Sequence, residues 1–241
     1  MAGARTSDDA IWDEAHDQPD EQVRWVYERL IETYGVPPWE PDFDPIGGLI
    51  GTILSQHTSD VNSARAYQRL REAFPEWVTV RDAPQDAVAD AIRVGGLAQL
   101  KAERIQRVLR ELSVRDPATL DLDYLSELPL EEARQSLLAL PGVGPKTAAC
   151  VLLFSLGRPA FPVDTHVLRV TRRLGLIGPK VTANTAHIEL ERKIPPQWRH
   201  TMHIDLIQHG RRICHAQRPA CERCPLRARC PYYWATRSDA R

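Results

Sequence analysis

The stretch LPGVGPKTA, residues 140–148, decides the fold. It lies between an amphipathic segment and the apolar run AACVLLF. Glycines at 142 and 144 permit a tight turn with close backbone approach, and Pro145 suits the first position of a following helix. We therefore predict two helices joined by this turn over about 130–156. The start of the second helix would present backbone N–H groups suited to a phosphate, as in a nucleic acid backbone.

Amphipathic patterns with three- and four-residue spacing run on both sides of this turn. A first helix is predicted from Glu21 to a C-cap at Gly35, and VPPWEPDFDP then breaks the helical pattern. Further helices are predicted near 46–56, 59–73, 84–94, 98–113, 121–126, 130–139, 145–156, 165–174, 182–193 and 198–212. None of these windows alternates like a strand, so we predict an all-α protein.

The formal net charge of −1 conceals two charged ends. Residues 1–21 carry a net charge of −6, and residues 199–241 carry +6. We predict that residues 1–20 form a disordered acidic tail and that the basic end binds a polyanion. No apolar run approaches the roughly 20 residues that span a bilayer, and the N-terminus lacks a secretory signal pattern. We therefore expect a soluble intracellular protein with no membrane partner.

Four of the five cysteines cluster with C-x6-C-x2-C-x5-C spacing: Cys214, Cys221, Cys224 and Cys230. In an intracellular chain, such a group more often binds metal than forms disulfides. Structural zinc sites commonly use two close pairs of ligands, and this spacing contains one. A four-iron, four-sulfur cluster also takes four thiolates and suits wider loops. The spacing favours the cluster and leaves zinc open. Cys150, within AACVLLF, is predicted to be a buried small residue.

Lys146 stands at the exit of the turn, and Asp164 follows 18 residues later in FPVDTHV, residues 161–167. A lysine can form a Schiff base while a carboxylate assists proton movement, so the pair matches covalent amine catalysis. The structural alternatives are that Lys146 only contacts phosphate and that Asp164 only caps the next helix.

Together, LPGVGPKTA, VDTHV, HGRRIC (209–214) and the cysteine spacing resemble the endonuclease III family of helix-hairpin-helix DNA glycosylases, over about Glu21 to Tyr233. Members that remove oxidised pyrimidines and then cut the strand carry a lysine and an aspartate where Lys146 and Asp164 stand. The resemblance thus implies a DNA glycosylase with AP lyase activity. It would act as a monomer on double-stranded DNA containing damaged bases or abasic sites, in the cytoplasm or nucleoid if the source is bacterial or archaeal.

The resemblance also implies two helical lobes with a DNA-binding cleft between them. Residues 42–157 would form a six-helix bundle that contains the helix-hairpin-helix. Residues 21–41 and 158–241 would form a discontinuous domain, in which the four cysteines hold a 4Fe-4S cluster.

The same resemblance suggests how DNA would be held. The turn glycines Gly142 and Gly144, and His166 two residues after the aspartate, would contact DNA. A damaged nucleotide would be flipped out of the duplex, and Leu97 in GGLAQLKAERI (95–105) would enter the gap. The alternative for Leu97 is an ordinary core leucine.

A second gap-filling position falls in ILSQHTSD (53–60). Here His57 stands in place of the family's usual glutamine, with Gln56 just before it. Ala98-Gln99-Leu100 likewise replaces an aromatic-polar pattern after Leu97. These departures leave two further functions open: a glycosylase with weak or absent strand cutting and a shifted lesion preference, and a non-catalytic DNA-binding module.

Overall fold

The computed structural model describes residues 19–114 and 120–238, so most of the predicted acidic tail lies outside the described residues. Every regular element in the described part is helical, which confirms the all-α prediction. None of the described helices is both long enough and apolar enough to cross a membrane.

Twelve α-helices lie in the described residues: α1 Glu21–Tyr34, α2 Pro45–Ser55, α3 Asp60–Ala73, α4 Trp77–Asp82, α5 Gln85–Ala91, α6 Ala98–Leu112, α7 Leu130–Leu138, α8 Pro145–Cys150, α9 Thr165–Arg173, α10 Ala183–Lys193, α11 Arg199–Arg212 and α12 Pro231–Ser238. Short 3-10 helices are found at Arg93–Gly95, Asp123–Ser126, Pro196–Trp198, Cys221–Arg223 and Arg227–Arg229.

The chain divides into two compact units. The central unit is Pro41–Arg158 and contains α2 to α8; we predicted 42–157 for it. The terminal unit joins the segments before and after it, and in the described residues comprises 19–40 and 159–238, with α1 and α9 to α12.

Two of these helices were not predicted, and one predicted α-helix continues as a π-helix in its second half. Helix α4 spans only six residues, too few to show a helical period, and α12 follows the cysteine-rich segment directly. The predicted helix over 145–156 is α-helical only to Cys150 and continues as a π-helix over Val151–Ser155. A Cβ atom added to Gly48 would lie 2.0 Å from Ser155 Oγ, so α2 approaches this π-helix at a glycine.

The central unit is built around α6, whose apolar stripe includes Ile105, Leu109 and Leu112, all buried. This stripe follows the three- and four-residue spacing that predicted the helix. Burying each leucine or isoleucine contributes roughly 1.5–3 kcal/mol. The helix is therefore fixed by its packed face, which sets the direction of the polar side chains that it carries.

In the terminal unit, α1 supplies Val23, Val26 and Leu30 to a core shared with α9 and α11. Asp20 caps α1 by accepting a hydrogen bond from Gln22 N at 2.7 Å, and Gly35 ends it at φ 85° as predicted. The packing of α9 on α11 is close at Gly210, where an added Cβ would lie 2.9 Å from His166 Cβ.

Candidate active site and nucleic-acid interface

The turn between α7 and α8 has the geometry that its sequence predicts. Gly142 adopts φ +76°, a left-handed conformation that glycine reaches without strain. Val143 N donates to Leu140 O at 3.1 Å, which closes the turn, and Gly144 is the N-cap of α8. Pro145 occupies the first turn of the helix, where its missing N–H costs nothing.

Lys146 lies on the first turn of α8 and is partly exposed, whereas Thr147 to Cys150 are buried. The first helical hydrogen bond in this stretch runs from Ala148 N to Gly144 O at 3.0 Å. The N–H groups before it precede the helical ladder and are directed along the helix axis. The lysine thus stands on a buried helix, directly after a glycine turn.

Asp164 is the N-cap of α9 in the terminal unit, so the predicted capping role is confirmed. Its Oδ1 accepts a hydrogen bond from Val167 N at 2.7 Å. The residue is partly exposed, and only Oδ1 takes part in that bond. Lys146 belongs to the central unit and Asp164 to the terminal unit.

His166 is partly buried on α9 and has a structural partner in Arg169. Arg169 Nη2 lies 3.0 Å from His166 Nδ1 and donates to Gly210 O at 3.0 Å. Arg169 Nε also donates to Cys214 O at 2.9 Å. This arginine therefore ties α9 to the point where the cysteine-rich segment begins.

Leu97 and His57 are both exposed in left-handed backbone conformations, with φ of 50° and 53°. Leu97 is the N-cap of α6, and 54% of its surface is exposed. The alternative interpretation of Leu97 as a core leucine is therefore wrong. Non-glycine residues pay roughly 1–3 kcal/mol for such backbone strain, which persists only where the surrounding structure imposes it.

Two side chains on α6 that the sequence did not single out contact these loops. Lys101 is 2% exposed, and its Nζ donates to Leu54 O, Thr58 Oγ1 and Gly95 O at 2.7, 2.6 and 2.8 Å. One turn later, Arg104 Nη1 donates to Gln56 Oε1. A helical lysine and arginine usually predict a solvated face, so only the contacts distinguish these two.

The four clustered cysteines line one small cavity in the terminal unit. Cys150 is buried elsewhere, in the central unit, as predicted. Among the described residues, no three His, Cys, Asp or Glu side chains are grouped as a single metal ion would require. The four thiols that line this cavity are the side chains that could ligate a metal centre here.

Basic and aromatic side chains surround this cavity. Arg173 Nη1 donates to Cys214 Sγ at 3.2 Å and to His215 O at 2.7 Å. Its guanidinium carbon lies 4.3 Å from the centre of the Tyr232 ring. The positive charge beside the sulfurs favours thiolates or any anionic centre that they bind.

His209 of the HGRRIC segment is 1% exposed and lies between Tyr34 and Cys224. Its Nδ1 is 3.0 Å from Tyr34 Oη, and its Nε2 is 3.5 Å from Cys224 Sγ. Burial lowers the pKa of His209 to about 4, so the imidazole is neutral at pH 7. A neutral ring has one donor and one acceptor nitrogen, which matches a hydroxyl on one side and a sulfur on the other.

Burial raises the pKa of Cys224 to about 11 and also raises the pKa values of Cys221 and Cys230. The neighbouring cysteines add to each increase. These thiols therefore hold their protons at neutral pH unless they coordinate a cationic centre, which displaces the protons.

Comparison with known proteins agrees with this geometry. A family model of HhH-GPD superfamily base excision DNA repair proteins matches residues 50–196. An endonuclease III of Thermotoga maritima is 35% identical over 190 residues, which cover 79% of this chain and 84% of that protein. A solved endonuclease III–DNA non-covalent complex superposes with a TM-score of 0.74 at 29% identity, covering 90% of this chain and 98% of that one.

An Arabidopsis thaliana protein named as a candidate DNA glycosylase is 38% identical over 200 residues. These residues cover 83% of this chain and 65% of that protein, so the chain spans about two thirds of that relative's length. The family match over more than half of the sequence and the extended similarity to endonuclease III lead to one conclusion. This chain belongs to the endonuclease III family of HhH-GPD base excision repair DNA glycosylases.

Proposed function

We propose that this glycosylase removes oxidised pyrimidines from duplex DNA and then cuts the strand at the resulting abasic site, acting as a monomer. The observation that carries this proposal is the placement of Lys146. It is a partly exposed amine on the first turn of α8, directly after the Gly142–Gly144 turn and before four buried residues, 147–150. A monofunctional glycosylase needs no lysine here, because water can displace the base.

In the proposed reaction, Lys146 Nζ attacks C1′ of a flipped nucleotide, and the bond between C1′ and the base breaks. The departing base takes the bonding electron pair and is protonated. Ring opening gives an imine between Lys146 and C1′, and loss of a C2′ proton then expels the 3′ phosphate. Hydrolysis of the imine returns the free amine. This is covalent amine catalysis, which divides one difficult step into easier ones.

Asp164 is the proposed partner of the amine. Its Oδ1 is held by Val167 N at 2.7 Å, which orients the carboxylate at the start of α9. The remaining oxygen would accept a proton from the attacking amine, directly or through water, and would stabilise the cationic sugar. A capping aspartate is suited to this role because its backbone bond fixes the side chain before substrate arrives.

The four cysteines that line this cavity would hold a 4Fe-4S cluster. When bound, the cluster would supply covalent cross-links within the loop rather than a reacting group. Arg173 would offset the negative charge of the thiolates, and His209 would donate a hydrogen bond to Cys224. The basic residues of the same segment, among them Arg223 and Arg227, would contact DNA phosphates.

On the DNA side, the turn glycines Gly142 and Gly144 would approach the phosphate backbone, and His166 would lie beside the reacting sugar. Leu97 and His57 would fill the space that the flipped nucleotide leaves, since both are exposed and held in strained conformations. Gln56 would support this contact through Arg104.

The test is excision and nicking of a panel of damaged duplexes by the wild type and Lys146→Gln, with borohydride present to reduce any imine. We expect wild type to form a covalent adduct on oxidised-pyrimidine duplexes and Lys146→Gln to form none. The matched control is Lys180→Gln, which removes an exposed lysine of the terminal unit and should behave as wild type. Base release without an adduct would instead indicate a monofunctional enzyme, and release from no duplex a non-catalytic module.

A further inference from the structure

We propose that Lys101 and Arg104, on one face of α6, are positioning residues that hold His57 and Leu97 as a single preassembled wedge for the DNA gap. The two-loop wedge is defined as the 56–58 turn together with Gly95–Leu97. The inference rests on the proposed function, because it concerns the nucleotide-flipping step. Lys101 and Arg104 would assist nucleotide flipping without needing to contact DNA themselves.

The two loops are joined by direct hydrogen bonds. Thr58 Oγ1 donates to Gly95 O at 2.5 Å, which connects one loop to the other. Lys101 Nζ reaches both loops, through Thr58 Oγ1 and Gly95 O, and also caps the end of α2 through Leu54 O. An ammonium group has three donors, and all three are used here. Since Lys101 is buried, these bonds compete little with water.

Arg104 extends the same assembly to the hairpin. Its Nη1 donates to Gln56 Oε1, so the residue next to His57 is held by its side chain. A Cβ atom added to Gly142 would lie 2.8 Å from Arg104 Nε. The guanidinium thus packs against the glycine turn that precedes Lys146. One helix face therefore links the wedge to the loop that carries the proposed nucleophile.

Backbone strain supports a wedge that is assembled before DNA binds. His57 and Leu97 each hold a left-handed conformation that other residues of their type rarely adopt. Leu97 also leaves half of an apolar side chain in water. Both features cost free energy in the free protein, so the contacts from α6 must impose them. The benefit appears on DNA, where an ordered wedge need not lose conformational freedom when it enters the gap.

The first test measures wedge insertion without any chemistry. A duplex with a tetrahydrofuran abasic analogue opposite 2-aminopurine reports insertion as a rise in fluorescence when the 2-aminopurine loses its stacking. We expect wild type to give the full rise and Arg104→Met and Thr58→Val to give less than half of it. Arg107→Met, which removes an exposed arginine from the same helix, should match the wild type. Binding to undamaged duplex should stay within about twofold for all variants, because affinity comes mainly from phosphate contacts.

The second test separates positioning from folding and from catalysis. Single-turnover base release from a damaged duplex should slow by about 10- to 100-fold in Arg104→Met, since small displacements cost this much. Cleavage of an abasic site in single-stranded DNA needs no wedge and should be unchanged. The double variant Arg104→Met with Leu97→Ala should be no slower than Leu97→Ala, because both act on one step.

Three results would overturn the inference. One is full fluorescence in Arg104→Met and Thr58→Val; another is a parallel loss of affinity for undamaged duplex, which would make Arg104 a phosphate contact. The third is binding of wild type without any fluorescence rise. A wild type that inserts its wedge but forms no borohydride adduct would instead count against the proposed lyase alone.

Discussion

Helix α6 of the central unit and helix α11 of the terminal unit each bury an ionisable side chain. The one on α6 has hydrogen-bond partners, and the one on α11 has none among the described residues. Lys101 on α6 donates to three oxygens within 2.8 Å. Asp205 on α11 is 0% exposed, and within the described residues neither of its carboxylate oxygens has a hydrogen-bond partner. Burial raises the pKa of Asp205 to about 7. A buried charge is tolerated when it is paired, and otherwise the group takes up or loses a proton.

The same contrast extends to the loops that the two helices support. Around α6, backbone oxygens and protein side chains complete every contact that orders the two-loop wedge. Beyond the end of α11, four thiols line one cavity, and burial raises the pKa values of three of them: Cys221, Cys224 and Cys230. The described contacts of the two-loop wedge are thus made by the protein itself, whereas the four thiols would, in our proposal, bind iron and sulfide.

The largest effect should follow from Cys224→Ala. If Cys224 is a ligand of the proposed cluster, its loss should remove the cluster's visible absorbance and cost roughly 5 kcal/mol of stability or more in the terminal unit. Hydrogen exchange should then show lost protection in α9 and α11 and retained protection in α6. Cys150→Ala is the control, because that cysteine lies outside the cavity. Unchanged iron content in Cys224→Ala would refute the predicted ligand set.

Next in size is Lys101→Met, which keeps the aliphatic stem and removes the ammonium group. Three buried oxygens each lose the hydrogen bond from Lys101, so we expect the free energy of unfolding to fall by about 3–5 kcal/mol. Urea denaturation measures this change, with Arg107→Met as the control on the same helix. A decrease of less than about 1 kcal/mol in the free energy of unfolding would mean that water replaces the ammonium group as the donor. Lys101 and Asp205 would then not differ in how much their hydrogen bonding matters for stability.

Asp205→Asn tests the buried carboxyl group on α11 through the pH dependence of the protein's stability. The folded pKa of about 7 lies above the ordinary value of 3.8, so the neutral acid is the form that folding favours. Its contribution is complete below pH 3.8 and is lost as the pH rises through about 7. Relative to Asp205→Asn, wild type should lose about 3 kcal/mol of stability between pH 5 and pH 8.5. If the stability of the wild type and of Asp205→Asn changed equally with pH, the Asp205 carboxylate would have to be paired or hydrated.

The smallest effect should come from an exposed ion pair. Arg93 contacts Asp90 near the wedge, but the two side chains are 74% and 63% exposed. Arg93→Ala should therefore change the free energy of unfolding by less than about 0.5 kcal/mol, and added salt should reduce the difference further. A change above about 1 kcal/mol in the free energy of unfolding, measured by thermal unfolding, would contradict this expectation. Solvent exposure would then not explain why this ion pair stabilises the protein less than the buried contacts of Lys101.

Several features of the candidate site could be predicted because they are local. A glycine turn, a proline at the first helical position and an aspartate cap each depend on a few neighbouring residues, and each is present. The cysteine spacing is local as well, and all four thiols reach one cavity. Helices with a clear apolar period were predicted for the same reason, whereas the six-residue α4 was too short to show one.

Features that depend on distant residues could not be predicted. On the sequence, Lys101 and Arg104 are ordinary polar residues of a helix, and nothing nearby indicates that their partners lie at 54–58 and at Gly95. His209 is part of a motif, yet its contacts to Tyr34 and Cys224 join segments far apart along the chain. The exposure of Leu97 agrees with the wedge role that the family resemblance implied, although an apolar residue at a helix start is usually buried.

The amino-acid sequence by itself determined the helices, the hairpin turn, the capping aspartate and the family, because periodicity, glycine and proline act over a few residues. Only the tertiary structure decided which charged groups are buried and paired, and which α6 side chains contact the two-loop wedge. Burial and hydrogen bonding depend on the atoms that folding brings together, and those atoms are distant in the chain.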